Sequence, residues 1–453
     1  MENPSKWIIF ISAIIIGIPC MVYFLRQSER NVNIFITLFF IIALNDLGGK
    51  FAINIISFEK YRGWSRGMEI TALDLMCIAF MILLSTQPST SFRHRLLRPE
   101  SWGFILYCAA AFLSIFTAFV PLYAFFGWWK IFRGIIVFFL FSRLIDRESR
   151  LKHLVTTFGL MCLYELPLVL VQKYAWHIYR ATGTLPHMNT LAMSMNLLSL
   201  PVFAAFLMDT GKPKKWYILV IAAAIFNVIC TLSRGALVSW VIGMVVCLLF
   251  LRRRHLVAER VTLLTIMGLT AFFVALKVLP TLQQRFLEAP PESEQTRKDF
   301  NECCKDMIRE RFFGVGINNF SYAIGHTHLG EKAPLNEERI DRDDGVAHHI
   351  YYLTGAEMGW PGLLAFFFMI GGILFRCLWL IRKVKNNSIT VYAIGLFAGM
   401  ITLHIQGLLE WVFLQTNIWF IFCALSGTIA ALGRLGLELP AQEPALQIEP
   451  TIS

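Results

Sequence analysis

Long apolar runs separated by short polar segments dominate the chain. A helix needs about 20 apolar residues to cross a bilayer, and the runs approach or reach that length. The pattern predicts up to thirteen membrane-spanning helices. The candidate spans are 7–25, 31–48, 68–86, 102–120, 127–145, 154–173, 188–208, 216–232, 235–251, 262–279, 352–375, 389–407 and 414–432. Asn45, Asp46 and Lys50 crowd the end of the second span, so a count of twelve, with the N-terminus inside, stays open.

The composition excludes a soluble enzyme and a disordered protein. The 453 residues are 56% hydrophobic and 16% charged, against about 45–50% and about 25% in an ordinary soluble domain. The mean hydropathy is +0.59. The net charge of +11 would suggest a nucleic-acid partner in a soluble protein. In a membrane protein the cationic cytoplasmic edge explains it, so we expect membrane lipids and no nucleic acid as partners.

The lysines and arginines of short loops predict the orientation. Five basic clusters each follow an odd-numbered span, and the positive-inside rule places them in the cytoplasm. They are Arg93/Arg95/Arg98, Arg143/Arg147/Arg150/Lys152, Lys212/Lys214/Lys215, Arg252/Arg253/Arg254 and Arg376/Arg382/Lys383/Lys385. Residues 174–187 and 280–350 are then extracytoplasmic. Segment 49–67 departs from the rule, because it carries four basic residues although the predicted orientation places it outside.

One long hydrophilic loop divides the chain. Between residues 281 and 347 there are thirteen acids and nine bases, and polar loops of this length are uncommon unless they are functional or disordered. The spacing predicts an amphipathic helix over 295–312, with Phe300, Cys304, Met307, Ile308 and Phe312 on its apolar side. We therefore expect four parts. These are spans one to ten in 1–279, an extracytoplasmic helical loop in 280–350, C-terminal spans in 351–433 and a disordered cytoplasmic tail in 434–453.

Two arginines are the first candidates for chemistry. Arg234 stands between two apolar runs, where an arginine at mid-bilayer costs about 2.5–3.5 kcal/mol and is a functional hypothesis by default. Alternatively, it caps a helical hairpin and reaches the head groups. Arg297 opens the loop helix, which ends before the turn-forming pair Gly314-x-Gly316. A solvated charged helix with a glycine stop would account for the same residues.

Histidines and a glutamate mark the ends of other spans. His348 and His349 close the long loop, His187 precedes the seventh span and Glu410 follows the twelfth. Histidine suits proton transfer near neutral pH. The upstream aspartates and the ten cysteines show no ligand spacing, so we expect neither a metal site nor a disulfide framework. These groups could also anchor helix ends, and Glu165 and His404 could bond neighbours inside the bundle.

Location connects these features. Arg234, Arg297, His348, His187 and Glu410 all fall on the external side in one topology. Arginine stays charged and holds phosphate oxygens in a bidentate fork. Two arginines with a histidine suit a diphosphate ligand and a proton acceptor at one extracytoplasmic site.

The motifs together resemble those of the O-antigen ligase and O-antigen polymerase superfamily of bacterial envelope glycosyltransferases. The matching pieces cover roughly residues 180–365. They are His187-Met188-Asn189, Ser233-Arg234-Gly235, Arg297 ahead of Gly314-Val315-Gly316-Ile317-Asn318-Asn319-Phe320, and His348 nine residues before Glu357-x-Gly359-x-x-Gly362. The family often has His-Asn where this chain has His348-His349, and the spacing to Glu357 favours His348 as the functional histidine.

The resemblance implies a GT-C-like fold and an enzyme of the bacterial inner membrane whose active site faces the periplasm. The donor would be a glycan on undecaprenyl diphosphate, and the acceptor either lipid A core or a growing polysaccharide. The reaction would invert the anomeric carbon and need no metal or other cofactor. His348, Arg234 and Arg297 would be catalytic. The implied substrate-binding residues are His187, Asn189, Ser233, Gly314, Gly316, Asn318, His349, Glu357 and Glu410.

Two other classes of function remain open. In an ion-coupled transporter, Glu165, His404 and Glu410 would form a relay within the membrane. The sequence lacks the paired, broken spans in matching halves that many transporters show. In a structural subunit of envelope assembly, Arg234 and Arg297 would each be dispensable.

Overall fold

A helical bundle forms most of the part of the protein that the structure describes. The computed structural model describes residues 4–45, 52–85, 99–208, 214–251, 291–333, 345–384 and 387–436. In this part of the chain, eight helices are long and apolar enough to cross a membrane. The predicted fold class, an all-α polytopic membrane protein, is confirmed.

Seventeen elements matter here, and apart from two strands all are helices. They are α1 Pro4–Ser12, α2 Ile18–Gln27, α3 Glu29–Leu44, β1 Ala52–Ser57, β2 Gly67–Thr71, α4 Ala72–Ser85, α5 Pro99–Leu113, α6 Pro121–Leu144, α7 Glu148–Leu170, α8 Met188–Met208, α9 Lys214–Cys230, α10 Arg234–Leu251, α11 Pro291–Glu310, α12 Phe320–His326, α13 Ile350–Lys383, α14 Asn387–Gln406 and α15 Thr416–Leu435. A π-helical turn, Ala13–Gly17, joins α1 to α2, and another, Val171–Ala175, extends α7.

Twelve of the thirteen predicted spans coincide with these helices. The predicted span 262–279, the basic clusters at 93–98 and 252–254, and the tail from 437 onward lie outside the described residues, as do loop residues 280–290 and 334–344. Local signals account for several boundaries. The Ser28 hydroxyl accepts a hydrogen bond from the Asn31 amide at the start of α3, the usual capping arrangement. Pro121 occupies the first turn of α6, where its missing N–H is not needed.

The start of the third predicted span is wrong. Residues 67–71 form β2, which pairs antiparallel with β1, and α4 begins only at Ala72. Side chains of α6 hold this hairpin. Arg133 makes ion pairs with Glu69 at 3.2 Å and with Asp74 at 3.0 Å. The segment departs from the helical pattern because its polar groups bond to α6 rather than facing lipid.

The loop helix is shifted relative to its prediction. It spans Pro291–Glu310, with Phe300, Cys304 and Met307 buried as expected. Phe312, expected on the same face, is 60% exposed. The chain turns after the helix, where the Gly314 amide donates to the Arg311 carbonyl at 2.9 Å, and this turn carries Phe312 off the helical face.

Successive helices run in alternating directions, so their connections gather at two ends of the bundle. At one end, the Ala181 amide donates to the Cys230 carbonyl, and Asn319 accepts from the Val120 amide. We call this the site end. At the opposite end, Arg434 donates to the Ile145 carbonyl. That end carries Arg147, Arg382 and the other described residues of the basic clusters, as expected if all the clusters lie on one side of the membrane.

One helix lies at the centre. Helix α8 is buried along almost its whole length and packs against α7, α9, α10 and α14. The hydroxyl of Ser199 on this helix accepts from the Trp240 indole, and the Asn196 amide donates to the Ala236 carbonyl. Polar bonds of this kind join helices inside a membrane bundle. The rigid start of α8, at Asn189, therefore lies among the loops of the site end.

Candidate functional site

Glu410 joins three distant parts of the chain at the site end. It follows α14 in a turn and is 8% exposed. Its Oε1 accepts a hydrogen bond from Asn189 Nδ2 at 2.6 Å and lies 3.5 Å from Arg297 Nη2. Its Oε2 lies 3.1 Å from His348 Nδ1. One buried carboxylate thus contacts an amide, a guanidinium and an imidazole.

His187 completes the cluster on the side of α8. Its Nδ1 accepts a hydrogen bond from the Asn189 amide at 3.1 Å, which orders the first turn of the helix. Burial lowers the pKa of His187 below its usual value. Glu410 acts against this shift, whereas Arg180, His348 and Arg297 reinforce it. His187 therefore lies within electrostatic range of all four charged or titratable side chains.

Arg180 is a member of this cluster that the sequence analysis missed. Its Nε donates to the Thr231 carbonyl at 2.9 Å and its Nη2 donates to Asn189 Oδ1 at 3.1 Å. The side chain links the start of α8 to the turn between α9 and α10. Arg180 lies in segment 174–187, a short loop between two spans that was predicted to be external. A basic residue in such a loop is a signal for this site that the sequence offered.

The turn from α9 to α10 presents Arg234. Leu232 has a φ of 52°, and the Ser233 amide donates to Thr231 Oγ1 at 3.2 Å. A Cβ on Gly235 would lie 3.0 Å from Leu409 Cδ1, so this turn packs against the residue next to Glu410. Ser233 and Arg234 are half-buried there.

The two adjacent histidines do different things. His348 faces Glu410, and its side chain is 34% exposed. His349 turns away and caps α13, where its Nδ1 accepts from the Tyr352 amide at 3.3 Å and its ring stacks on Tyr352. Burial lowers the pKa of His349. Of the two histidines, His348 is therefore the one whose ring contacts Glu410.

Gly314, Gly316 and Glu357 form a second group that lies within the protein interior. The Val315 and Gly316 amides donate to the carbonyls of Ala356 and Glu357 at 2.9 and 2.8 Å. Both glycines have a positive φ, and a Cβ on Gly314 would come within 2.5 Å of the Glu357 carbonyl. The segment therefore passes directly over a kink in α13 at Gly359, whose φ is 64°.

Asn318 fastens the same segment to the hairpin. Its Nδ2 donates to the carbonyls of Ser65 and Tyr123, and its Oδ1 accepts from the Ser65 amide at 3.0 Å. Nearby, the Trp64 indole donates to both carboxylate oxygens of Glu357, at 3.1 and 3.2 Å. Asn318 and Glu357 thus find their hydrogen-bond partners within the protein. They fix the segment that follows α11 against α13, beside the charged cluster.

The remaining buried polar candidates have local partners. Glu165 accepts from the Thr184 amide at 2.9 Å and from its hydroxyl at 2.5 Å, which holds the loop before α8. The Tyr351 hydroxyl lies 3.4 Å from His404 Nδ1 and 3.1 Å from the His404 backbone carbonyl. Among the described residues, no group of three His, Cys, Asp or Glu side chains could hold a metal ion.

Comparison with known proteins covers the central part of this site. The family model for O-antigen ligase matches residues 219–367. The matched range includes Arg234, Arg297, His348 and the segment over the α13 kink, whereas His187 and Glu410 lie on either side of it. The match confirms the resemblance to the O-antigen ligase and polymerase superfamily. Among curated proteins, none matches the chain.

Proposed function

We propose that this chain, which carries an O-antigen ligase family domain over residues 219–367, is a glycosyltransferase of the bacterial inner membrane. It transfers a glycan from undecaprenyl diphosphate to an acceptor hydroxyl on the periplasmic side. The acceptor is either lipid A core, which makes the protein a ligase, or another lipid-linked repeat unit, which makes it a polymerase. The ion-coupled transporter has no comparable support.

The pairing of Glu410 with His348 is the observation that supports this function most directly. Since a carboxylate accepts hydrogen bonds, the imidazole proton lies on Nδ1, which leaves the Nε2 lone pair free. A carboxylate that fixes the tautomer and stabilises the imidazolium is the arrangement used by many histidine bases. His348 is therefore suited to take the proton from an acceptor hydroxyl.

The arginines supply the second requirement of the reaction. The acceptor oxygen attacks the anomeric carbon, and the bond from that carbon to the diphosphate oxygen breaks with inversion. The electron pair goes to the diphosphate, and the hydroxyl proton goes to His348 Nε2. Arg297 and Arg234 stabilise the growing negative charge, a contribution worth about 10²–10³ in rate for one such contact in other enzymes. The scheme routes no step through a metal ion or another cofactor.

The other residues have supporting roles in this proposal. His187, Asn189 and Ser233 line the approach to the charged cluster and contact the donor or the acceptor. Arg180 and Glu410 orient Asn189 through the bonds described above. Gly314, Gly316, Asn318, His349 and Glu357 act by position, because they keep Arg297 on α11 and His348 before α13 at a fixed separation.

The test is reconstitution of the purified protein with its native lipid-linked repeat unit, with and without lipid A core, followed by mass analysis. A ladder of repeats without lipid A core identifies a polymerase, and a glycan on lipid A core without a ladder identifies a ligase. No new glycosidic bond in either condition, beside an active control enzyme, would refute the proposal.

Arg309 provides a matched control for the catalytic arginine. It lies on α11 with Arg297, is largely exposed and pairs with Asp306. We expect Arg297→Ala to abolish transfer while leaving folding and membrane insertion intact, and Arg309→Ala to retain it. Wild-type activity in Arg297→Ala would contradict the assigned role.

A further inference from the structure

A pocket lies at the site end, away from the charged cluster around Glu410. Its volume is about 410 Å³, and it opens where α11 ends. The lining residues are Thr117, Glu310, Arg311, Phe312, Phe313, Gly314, His328 and Leu329. The proposed reaction assigns no role to this pocket.

Arg311 supplies the charge of the pocket. Its guanidinium lies over the Phe119 ring, 4.4 Å from the ring centroid. Among the described residues it has no carboxylate within ion-pair distance. The Glu310 carboxylate of the pocket already has a partner, because its Oε2 lies 2.8 Å from His328 Nε2. An arginine stacked on an aromatic ring keeps its outward N–H groups available for phosphate oxygens.

The rim of the pocket is strongly apolar. Phe312 and Phe313 are 60% and 57% exposed, and their rings meet edge to face. Leu113, the last residue of the apolar helix α5, and Phe116, which follows it, are also exposed. Exposed aromatic side chains at the ends of apolar helices are typical of the membrane–water interface. The pocket therefore combines a cation with an aromatic rim at the level where lipid head groups lie.

We propose that this pocket binds the phosphate-bearing head group of a membrane amphiphile, with Arg311 on the phosphate and the acyl chains against Phe312 and Phe313. Thr117 also lines the pocket, where its hydroxyl lies 3.5 Å from the Phe313 carbonyl, and it contacts the same head group. The phosphate could come from a lipid or from free phosphate in solution. The apolar rim favours the lipid.

The position of the pocket suggests which amphiphile it serves. Arg297 lies in the second turn of α11 and Arg311 directly follows its last residue, so the two are about 20 Å apart at 1.5 Å per residue. A glycan bound with its diphosphate at Arg297 and an acceptor lipid held at Arg311 would occupy the two ends of the same helix. This assignment to the acceptor rests on the proposed function, whereas the binding of a phosphate amphiphile does not.

Binding is tested without the reaction, on the full chain in detergent with Arg297→Ala in the background to weaken the first site. Native mass spectrometry measures retention of dimyristoyl phosphatidic acid and of dimyristoyl glycerol, which has the same chains and no phosphate. We expect at least tenfold preference for phosphatidic acid. Arg311→Gln should lose this preference, Arg309→Gln should keep it, and Arg311→Lys should keep part of it. Equal retention in the Arg311→Gln and Arg309→Gln variants would overturn the proposal, and so would displacement of phosphatidic acid by millimolar inorganic phosphate.

Transfer assays then separate the two levels of the inference. In the active protein, Arg311→Gln should raise the KM for the acceptor lipid at least fivefold and leave the KM for the donor within twofold, and Arg309→Gln should change neither. If Arg311→Gln lost the preference for phosphatidic acid but kept the wild-type KM for the acceptor, the assignment to the acceptor would be overturned and the phosphate site would stand. If the protein showed no transfer at all, the binding result would still decide whether the pocket exists as a phosphate site.

Discussion

A single carboxylate organises the chemistry at the scale of the residue. Glu410 holds Asn189, Arg297 and His348 with two oxygens. Hydrogen bonds between charged groups are about twice as strong as neutral ones, and removing one partner leaves a buried group unpaired. Each of the four side chains therefore depends on the others for its orientation.

The two histidines offer the sharpest test at this scale. His348→Asn removes the proton acceptor, and we expect transfer to fall about 10²–10⁴-fold, the usual contribution of a general base. His349→Asn keeps a good helix cap, so transfer should fall less than about tenfold under the same proton-transfer argument. Initial rates of the reconstituted variants measure both effects. If His349→Asn proved the more damaging variant, the assignment of the two histidines would have to be exchanged.

His187 predicts how stability depends on pH. Its pKa in the folded protein lies below the usual 6.5, so at acidic pH the unfolded chain binds a proton that the folded protein does not. The free energy of unfolding should therefore fall as the pH drops below about 6.5, by at most about 1.4 kcal/mol per pH unit for one such group. His349 contributes in the same direction.

The measurement is the midpoint of thermal unfolding in detergent at pH 7.5 and at pH 5.5. The difference between the two midpoints should be smaller in His187→Asn than in the wild type, whatever the absolute stability of the variant. An identical difference in both proteins would show that the histidine is not held neutral by the fold.

At the scale of the element, the kink in α13 fixes the distance between His348 and the membrane span that follows the kink. Gly359 has a φ of 64°, and a Cβ there would lie 2.0 Å from the Phe312 carbonyl. The amide of Trp360 donates to that same carbonyl at 2.9 Å. The segment from Phe312 to Gly316 can approach α13 so closely only because no side chain intervenes.

Two glycines of the same helix make a matched pair for this element. Gly359→Ala should lower the free energy of unfolding by about 2 kcal/mol or more, since both the backbone conformation and the close contact oppose a side chain. Gly371→Ala has nothing within 4 Å of the new Cβ and should be neutral or stabilising by up to about 1 kcal/mol. Thermal unfolding of the two variants decides the matter. Equal midpoints would mean that the kink relaxes without cost.

The sequence predicted the elements of the bundle better than it predicted the hairpin. A membrane span must satisfy its backbone internally, so apolar runs map directly onto helices such as α8 and α14. The strands β1 and β2 gave no comparable signal, because their stabilising partners, Arg133 and Trp129, lie about 60 residues away in α6. Local periodicity carries no information about contacts between residues so far apart in the chain.

The site shows the same limit. Arg234, Arg297 and His348 were identifiable from residue type, position and family resemblance. The contact between Asn189 and Glu410 joins residues 221 positions apart, so one sequence alone could place them on the same side but not together. Arg180 lies in the predicted external loop 174–187, but its bond to Asn189 joins two side chains that the sequence does not pair.

At the scale of the whole molecule, charge and topology agree. The described basic clusters lie at one end of the bundle, and the candidate site lies at the other. The hairpin between α3 and α4 lies at the site end although it is basic, because Ser65 and Trp64 bond to Asn318 and Glu357 there. In the proposed orientation, these specific contacts outweigh the positive-inside preference of the segment.

The orientation is tested by labelling two exposed lysine positions after substitution by cysteine. In spheroplasts, Lys298→Cys on α11 should react with a membrane-impermeant maleimide above the wild-type background. Lys152→Cys near the start of α7 should react only after permeabilisation, because the positive-inside rule places that end in the cytoplasm. The reverse pattern would invert the topology and move the site to the cytoplasm.

The links made by Glu410 also bear on when the protein becomes competent during its synthesis. Chains are made from the N-terminus at about 5–20 residues per second, so Arg297 and His348 leave the ribosome well before Glu410 does. Until the turn after α14 has been inserted, the arginine and the histidine lack the carboxylate that orients them. A nascent or C-terminally truncated chain would therefore occupy the membrane with these groups unordered, and the proposed transfer would begin only after the C-terminal helices have been inserted.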